Sequence, residues 1–198
     1  LDTITSAYAR IENIYPLSHT QLGILFHNLF NPQHGAYHIL LSYEVLGKLN
    51  AGALRRAWQR VMEQHAVLRT AFVWEGVEQP EQVVLKDAEL TFEEQDWRAL
   101  ASDEQQRRLQ AQLDADRQRG FDLRSAPLMR LSLVRLGDER YSFTWSHHHI
   151  LLDGWSTPVL LDELLAHEGL APQALAAQRP RLVLDDGAQP QRREQEIP

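Results

Sequence analysis

The sequence predicts an α/β fold, in which helices pack against a β-sheet, and three observations support this prediction. Residues 141–148 alternate Tyr, Phe, Trp and His with Ser, Thr and His, a period of two that is typical of a β-strand. A short turn over residues 137–140 joins this strand to an apolar segment before it, which predicts an antiparallel hairpin. Residues 18–30 and 50–65 place apolar side chains at helical spacing.

The length and composition of the chain limit the class of protein. A chain of 198 residues with 43% hydrophobic and 24% charged residues is typical of one soluble domain or lobe. The net charge of -7 argues against nucleic acid or an anionic membrane as the main partner. There is no cysteine, hence no disulfide, thiolate nucleophile or cysteine-ligated metal. With no signal peptide and no apolar run near about 18 residues, we expect a cytoplasmic enzyme domain.

The first third of the chain predicts a linker followed by two helices with a strand between them. Residues 1–13 show no clear period, which indicates a linker or the tail of a preceding domain. Ser18 and Gln21 have the spacing of a capping box and therefore predict the start of the first helix. A buried strand is expected over residues 37–45, and Asn50 is expected to cap the second helix.

The rest of the chain predicts short strands, a charged helix and a second apolar helix. Strands are expected over residues 83–85 and 92–97, and residues 126–130 are expected to lead into a further strand that ends near Leu136. Ser102 and Gln105 repeat the capping-box spacing, and the charged helix that follows to about Gln118 is expected to face solvent. An apolar helix begins after Ser156, and residues 170–198 predict an extended or disordered tail.

Residues 147–156, with the sequence His-His-His-Ile-Leu-Leu-Asp-Gly-Trp-Ser, contain the candidate site. Histidine exchanges a proton near neutral pH, and the end of a rigid strand is a suitable place to present such a group. Consecutive strand residues point to opposite faces, so His147, His148 and His149 do not converge easily on one ion. We therefore expect no metal site.

The same segment carries a resemblance to a known family. His148-His149-x-x-x-Asp153-Gly154 followed by Trp-Ser resembles the HHxxxDG signature of nonribosomal peptide synthetase condensation domains, members of the chloramphenicol-acetyltransferase-like acyltransferase superfamily. Residues 15–27, Tyr-Pro-Leu-Ser-x-x-Gln-x-Gly-x-Leu-Phe-His, resemble the opening motif of that family, with a leucine where an acidic residue is common. Residues 64–72 resemble its RHExLRTxF segment, with Gln and Ala in place of the first Arg and the Glu.

The resemblance implies a fold, a reaction and roles for individual residues. Residues 14–169 would form the N-terminal of two lobes, a mixed, largely antiparallel sheet covered by helices. His149 would face a tunnel between the lobes and assist an amine that attacks a thioester, either as a base or by positioning it. His148 would be a scaffold residue on the opposite side of the pleat. Asp153 would form an ion pair with Arg69, and the Gly154 N–H would lie near the oxyanion.

The resemblance also implies partners. The family joins a carrier-bound aminoacyl or peptidyl thioester to the amine of a carrier-bound amino acid. The domain itself would bind no cofactor, because phosphopantetheine arrives on the upstream and downstream peptidyl carrier domains. The C-terminal lobe and an adenylation domain would be further partners, and the lobe alone is expected to be inactive. The alternatives are a stand-alone CoA-dependent acyltransferase and a non-catalytic docking module.

Overall fold

Four α-helices and eight strands form the part of the chain that the computed structural model describes, which is Ile4 and residues 8–31, 37–166 and 181–182. In chain order these are β1 (Ile11–Pro16), α1 (His19–Phe30), β2 (His38–Leu46), α2 (Ala51–Gln64), a 3-10 turn (Ala66–Arg69), β3 (Thr70–Val73), β4 (Glu81–Leu85), β5 (Phe92–Asp96), α3 (Ser102–Arg119), β6 (Met129–Gly137), β7 (Arg140–His148), α4 (Ser156–Ala166) and β8 (Arg181–Leu182).

The strands form two sheets. The larger sheet has the order β5-β6-β7-β2-β8, in which only β5 and β6 are parallel. The smaller sheet has the order β1-β4-β3 and is antiparallel. The predicted class, a mixed and largely antiparallel sheet with helices, is therefore confirmed. Within the described residues, no helix is both long and apolar enough to cross a lipid bilayer.

The β6–β7 hairpin forms the centre of the larger sheet, and its apolar face is the centre of the core. A two-residue turn joins the strands, as the sequence predicts. Phe143 and Trp145 are fully buried, and the ring of Trp58 from α2 lies 4.8 Å from that of Trp145. Helices α1, α2 and α4 contribute apolar side chains to the same core cluster. The period of two in β7 thus places one row of aromatic side chains under the helices.

Local signals predicted the starts of the first two helices correctly. Ser18 and Gln21 form the reciprocal capping box of α1, and the Asn50 side chain accepts a hydrogen bond from the Ala53 N–H at the start of α2. The α3 prediction was wrong in detail. Ala101 is the N-cap, without a side-chain hydrogen bond, and Gln105 is buried with its amide directed at backbone carbonyls.

The two ends of the chain differ from the sequence prediction or lie outside the described residues. Strand β1 begins at Ile11 and pairs with β4, so residues 11–13 are part of a sheet rather than a linker. Ile4 is buried beside Val73 and Val83. Of the predicted tail at 170–198, the structure describes only residues 181–182, which pair with β2. The other boundaries of the predicted lobe stay predictions.

Candidate active site

The three histidines at the end of β7 differ in burial. His147 is 1% exposed and His148 is 4% exposed, whereas His149 is partly exposed. The ring of His147 lies 4.7 Å from that of Trp145 on the core face, and His148 lies on the opposite face near Phe121. This arrangement agrees with the predicted alternation across the pleat. His149 is therefore the member of the triplet that a substrate can reach.

Burial determines the protonation of the first two histidines. Burial, together with the charge of the neighbouring imidazoles, lowers the pKa of both His147 and His148 to about 3. Both rings are therefore neutral near pH 7. The Nδ1 atom of His148 accepts a hydrogen bond from the Ile150 N–H at 3.2 Å, which leaves the ring proton on Nε2. His148 thus holds the turn that follows the strand.

Both the backbone and the ring of His149 contact the residue that precedes β2. The His149 N–H donates to the carbonyl of Tyr37 at 2.8 Å, and the two rings meet edge to face with centroids 6.5 Å apart. The Nδ1 atom of His149 is buried and has no hydrogen-bond partner among the described residues. Nε2 is therefore the ring nitrogen that remains available to a substrate.

Asp153 caps the helix that follows the site. Its Oδ1 accepts hydrogen bonds from the Trp155 N–H at 3.1 Å, the Ser156 N–H at 2.8 Å and the Ser156 hydroxyl at 2.7 Å. The hydrogen bonds from Ser156 lower the pKa of Asp153 below its usual value. Gly154 lies in the turn between them, with open space where a Cβ would be. Its role at an oxyanion stays a prediction.

The prediction of an ion pair between Arg69 and Asp153 is wrong, because the two side chains have other partners among the described residues. Arg69 is 6% exposed, and its guanidinium pairs with Glu12 of β1 at 2.6 Å. It also donates to the carbonyls of Met62, Glu63 and Leu85. These acceptors surround the guanidinium beneath the β1–β4 pair, whereas the Asp153 carboxylate faces the start of α4.

A polar cluster that no sequence motif indicates lies on the other face of the sheet, around Asp116 of α3. The Asp116 carboxylate contacts Nε2 of His38 at 3.1 Å and Nε of Arg130 at 2.6 Å. Burial acts to raise the pKa of Asp116, but the hydrogen bonds from His38 and Arg130 and the arginine charge hold this pKa well below its usual range. Asp116 belongs to a charged segment, so no local pattern marks its inward position.

A second contact holds α4 in place. Nε2 of His65, at the C-terminal end of α2, contacts the Glu163 carboxylate of α4. Groups of three or more histidine, cysteine or acidic side chains suited to a metal ion do not occur in the described part of the chain. The candidate site therefore consists of His149 on a frame made by β7, Tyr37 and the capped start of α4.

Comparison with known proteins agrees with this geometry. Residues 11–167 match the model of a family described as the Condensation domain. The chain is 48% identical over 158 residues to one component of the linear gramicidin synthase of Brevibacillus parabrevis, and this covers 80% of the chain and 3% of that protein. It is 36% identical over 171 residues to Bacitracin synthase 1 of Bacillus licheniformis, covering 85% of the chain and 3% of that protein.

Solved structures show the same fold. The starter condensation domain of rhizomide synthetase RzmA superposes with a TM-score of 0.70 at 22% identity, covering 78% of this chain and 38% of that one. The first condensation domain of the calcium-dependent antibiotic synthetase gives a TM-score of 0.70 at 19% identity, covering 78% of this chain and 37% of that one. The chain therefore spans a small part of the curated relatives and less than two fifths of these solved domains.

Proposed function

Because this chain belongs to the condensation-domain family, we propose that it supplies the histidine-bearing part of an enzyme that forms amide bonds. The donor is an aminoacyl or peptidyl thioester on one carrier domain, and the acceptor is the amine of an aminoacyl group on a second carrier. One observation carries the proposal: of the signature histidines, His148 is buried and held neutral, while His149 is partly exposed at the end of a rigid strand.

The proposed reaction needs a group that handles one proton. The acceptor nitrogen attacks the thioester carbonyl, a C–N bond forms, and the C–S bond to the phosphopantetheine thiol breaks. The nitrogen loses a proton, and the leaving sulfur gains one. Nε2 of His149 either accepts the proton from the attacking amine or holds the amine by a hydrogen bond, two roles that both require the ring orientation seen here.

The arrangement around His149 supports either role. Its backbone is fixed by the hydrogen bond to Tyr37, and the preceding histidine fixes the turn through Ile150. A histidine whose backbone and neighbours are held in this way is preorganised, which lowers the cost of reaching a reactive geometry. The Asp153 cap fixes the start of α4 directly after the loop.

The proposal includes partners and a location. Upstream and downstream peptidyl carrier domains would deliver phosphopantetheine-bound substrates, a second lobe of the domain would complete the site, and an adenylation domain would select the amino acid. The names of the relatives, synthases of gramicidin and bacitracin, support a role in a peptide synthetase. Such a synthetase would operate in the cytoplasm. In this proposal the described residues bind no cofactor themselves.

Replacement of His149 by alanine tests the proposal in the protein that carries this chain. We expect amide formation between loaded carriers to fall by about 100-fold or more, since a positioned histidine typically contributes at least that much. The unfolding temperature should stay unchanged, because the side chain is partly exposed. Product is measured by mass spectrometry after single turnover.

His19→Ala is the matched control, since His19 is an exposed histidine at the start of α1. It should keep the wild-type rate. A parallel reaction with an acyl-CoA donor distinguishes the stand-alone acyltransferase. Wild-type amide formation by His149→Ala would contradict the proposed role of His149, and product formed from acyl-CoA but not from the loaded carrier would favour the acyltransferase.

A further inference from the structure

We propose that Asp116 is a positioning residue for His149, because its carboxylate joins the starts of β2 and β6, the two strands that flank the histidine-bearing strand β7. The effect on catalysis rests on the proposed function, whereas the effect on the geometry of the strand ends does not. Asp116 lies on α3, far in sequence from the signature and outside every motif that resembles the family.

The contacts of Asp116 reach the two strands that flank β7. His38 is the first residue of β2, and Arg130 lies near the start of β6. The carboxylate contacts the His38 ring at 3.1 Å and the Arg130 guanidinium at 2.6 Å. In the sheet order β6-β7-β2 these two strands lie on either side of β7, so one side chain of a helix joins them.

These contacts lie beside the C-terminal end of β7, where the histidines are. In the pairing register, Arg130 is opposite Ser146, and His38 is opposite His148. The peptide groups of the histidines are held by the same strand ends. The His148 N–H donates to Leu128, just before β6, at 3.0 Å, and the His149 N–H donates to Tyr37, just before β2, at 2.8 Å. A shift of either strand end would therefore move His149.

The cluster is buried enough to resist such a shift. The side chain of His38 is 5% exposed, that of Arg130 is 13% exposed and that of Asp116 is 18% exposed. The Arg130 guanidinium also donates to the carbonyl of Gly120 at 2.8 Å and lies 4.0 Å from the ring centroid of Phe121. Charge-assisted hydrogen bonds of this kind are short and directional, and they hold their partners firmly when water is excluded.

Loss of the carboxylate would leave room for movement. A cavity of about 160 Å³ lies beside the cluster, and its lining includes Asp116, Arg130 and Ser146. An asparagine at position 116 keeps the size of the side chain. His38 and Arg130 contact different oxygens of the Asp116 carboxylate. In asparagine an NH2 group replaces one of these oxygens, so one contact loses its acceptor, and the negative charge that strengthens both is lost. The strand ends would then lose their common tie, with space next to them.

The test compares Asp116→Asn with Asp114→Asn in the protein that carries this chain. Asp114 is an acidic residue of the same helix whose side-chain partners, Gln110 and Arg117, lie on that helix. We expect Asp116→Asn to lower kcat by about 10- to 100-fold, since small misplacement of a reacting group has such effects. KM for the loaded carriers should stay within about twofold, because Asp116 touches no substrate. Asp114→Asn should change neither constant.

Hydrogen exchange measured by mass spectrometry gives a readout that does not depend on activity. In Asp116→Asn, peptides that contain the His148 and His149 amides should exchange faster, while peptides of β3 and β4 should be unchanged. His38→Phe, which removes one of the two side-chain partners of the carboxylate, should give the same local pattern to a smaller extent, and it serves if Asp116→Asn does not fold.

The outcomes separate this inference from the proposed function. Unchanged exchange at the two histidine amides in both variants, or faster exchange spread evenly over the molecule, would overturn the inference. So would wild-type kcat in a folded Asp116→Asn protein whose His149→Ala counterpart is inactive, a result that leaves the proposed function intact. A wild-type protein that forms no amide would overturn the proposed function, while local exchange in Asp116→Asn would still support Asp116 as a tie between the strand ends.

Discussion

A single buried arginine, Arg69, holds together segments that are distant in sequence. Its guanidinium satisfies carbonyls at the C-terminal end of α2 and the last residue of β4, and it pairs with Glu12 of β1. Arginine suits this position because its planar group offers five donors in a fixed arrangement. Glu12 is partly exposed, so the backbone acceptors matter more to this arginine than its acidic partner does.

Replacement of Arg69 by methionine should therefore strongly destabilise the folded protein. We expect the free energy of unfolding to fall by about 3–5 kcal/mol, because several buried carbonyls lose their donor and the remaining carboxylate loses its charge partner. Glu12→Gln should cost less than about 1 kcal/mol, since the glutamate is partly solvated. Urea denaturation of the single and double variants measures both values.

The double-mutant cycles decide which acid is the partner. Arg69 and Glu12 should show coupling, whereas the effects of changes at Arg69 and Asp153 should add. Clear coupling between Arg69 and Asp153, with none to Glu12, would restore the ion pair that the family resemblance implies.

At the scale of elements, the sequence predicted best what is specified locally. The caps of α1 and α2 depend on residues three apart, and the alternation in β7 spans consecutive residues, so both are visible without a structure. The same spacing at Ser102 and Gln105 was misleading. The Gln105 side chain instead donates hydrogen bonds to carbonyls of the loop before α3 and of β6. Such tertiary contacts leave no local sequence pattern.

In the candidate site, too, locally specified features were predictable from the sequence and tertiary contacts were not. The signature pointed to His148 and His149, and the pleat assigned them to opposite faces. The partner of Arg69 and the inward position of Asp116 depend on which strands pair and which face of α3 meets the sheet. A helix rich in charges does not show in its sequence which carboxylate is turned inward.

Gln105 and Ser102 offer a test of this difference. Gln105 is 4% exposed, and its side chain donates to the carbonyls of Trp97, Leu100 and Leu136 and accepts from Arg140. We expect Gln105→Ala to lower the free energy of unfolding by about 2 kcal/mol or more, because buried carbonyls lose their donor. Ser102→Ala should stay within about 0.5 kcal/mol, since Ser102 caps nothing.

Thermal and urea unfolding measure both changes. A Ser102→Ala variant that loses as much stability as Gln105→Ala would mean that Ser102 does cap α3 in solution.

At the scale of the whole molecule, the site lies beside exposed apolar surface. Trp155 is 87% exposed immediately after the signature glycine, and Val159 is 55% exposed one turn later on α4. Neighbouring apolar side chains that stay exposed next to a candidate site are typical of a surface that meets other protein. The solved condensation domains that share this fold are longer, since the chain spans 37% to 38% of the rhizomide and calcium-dependent antibiotic synthetase domains.

The 198-residue chain assayed by itself should therefore form no amide. His149 is partly exposed in it, and nothing among the described residues closes around a thioester and an amine together. Orientation of both reactants lowers the activation barrier by about 7–11 kcal/mol in well-built sites, and a site that is open around His149 would lose most of this contribution. The measurement incubates the purified chain with loaded donor and acceptor carriers, with the protein that carries this chain as positive control. Amide above the no-protein background that disappears in His149→Ala would show instead that these residues suffice, or that two copies of the chain complete one site.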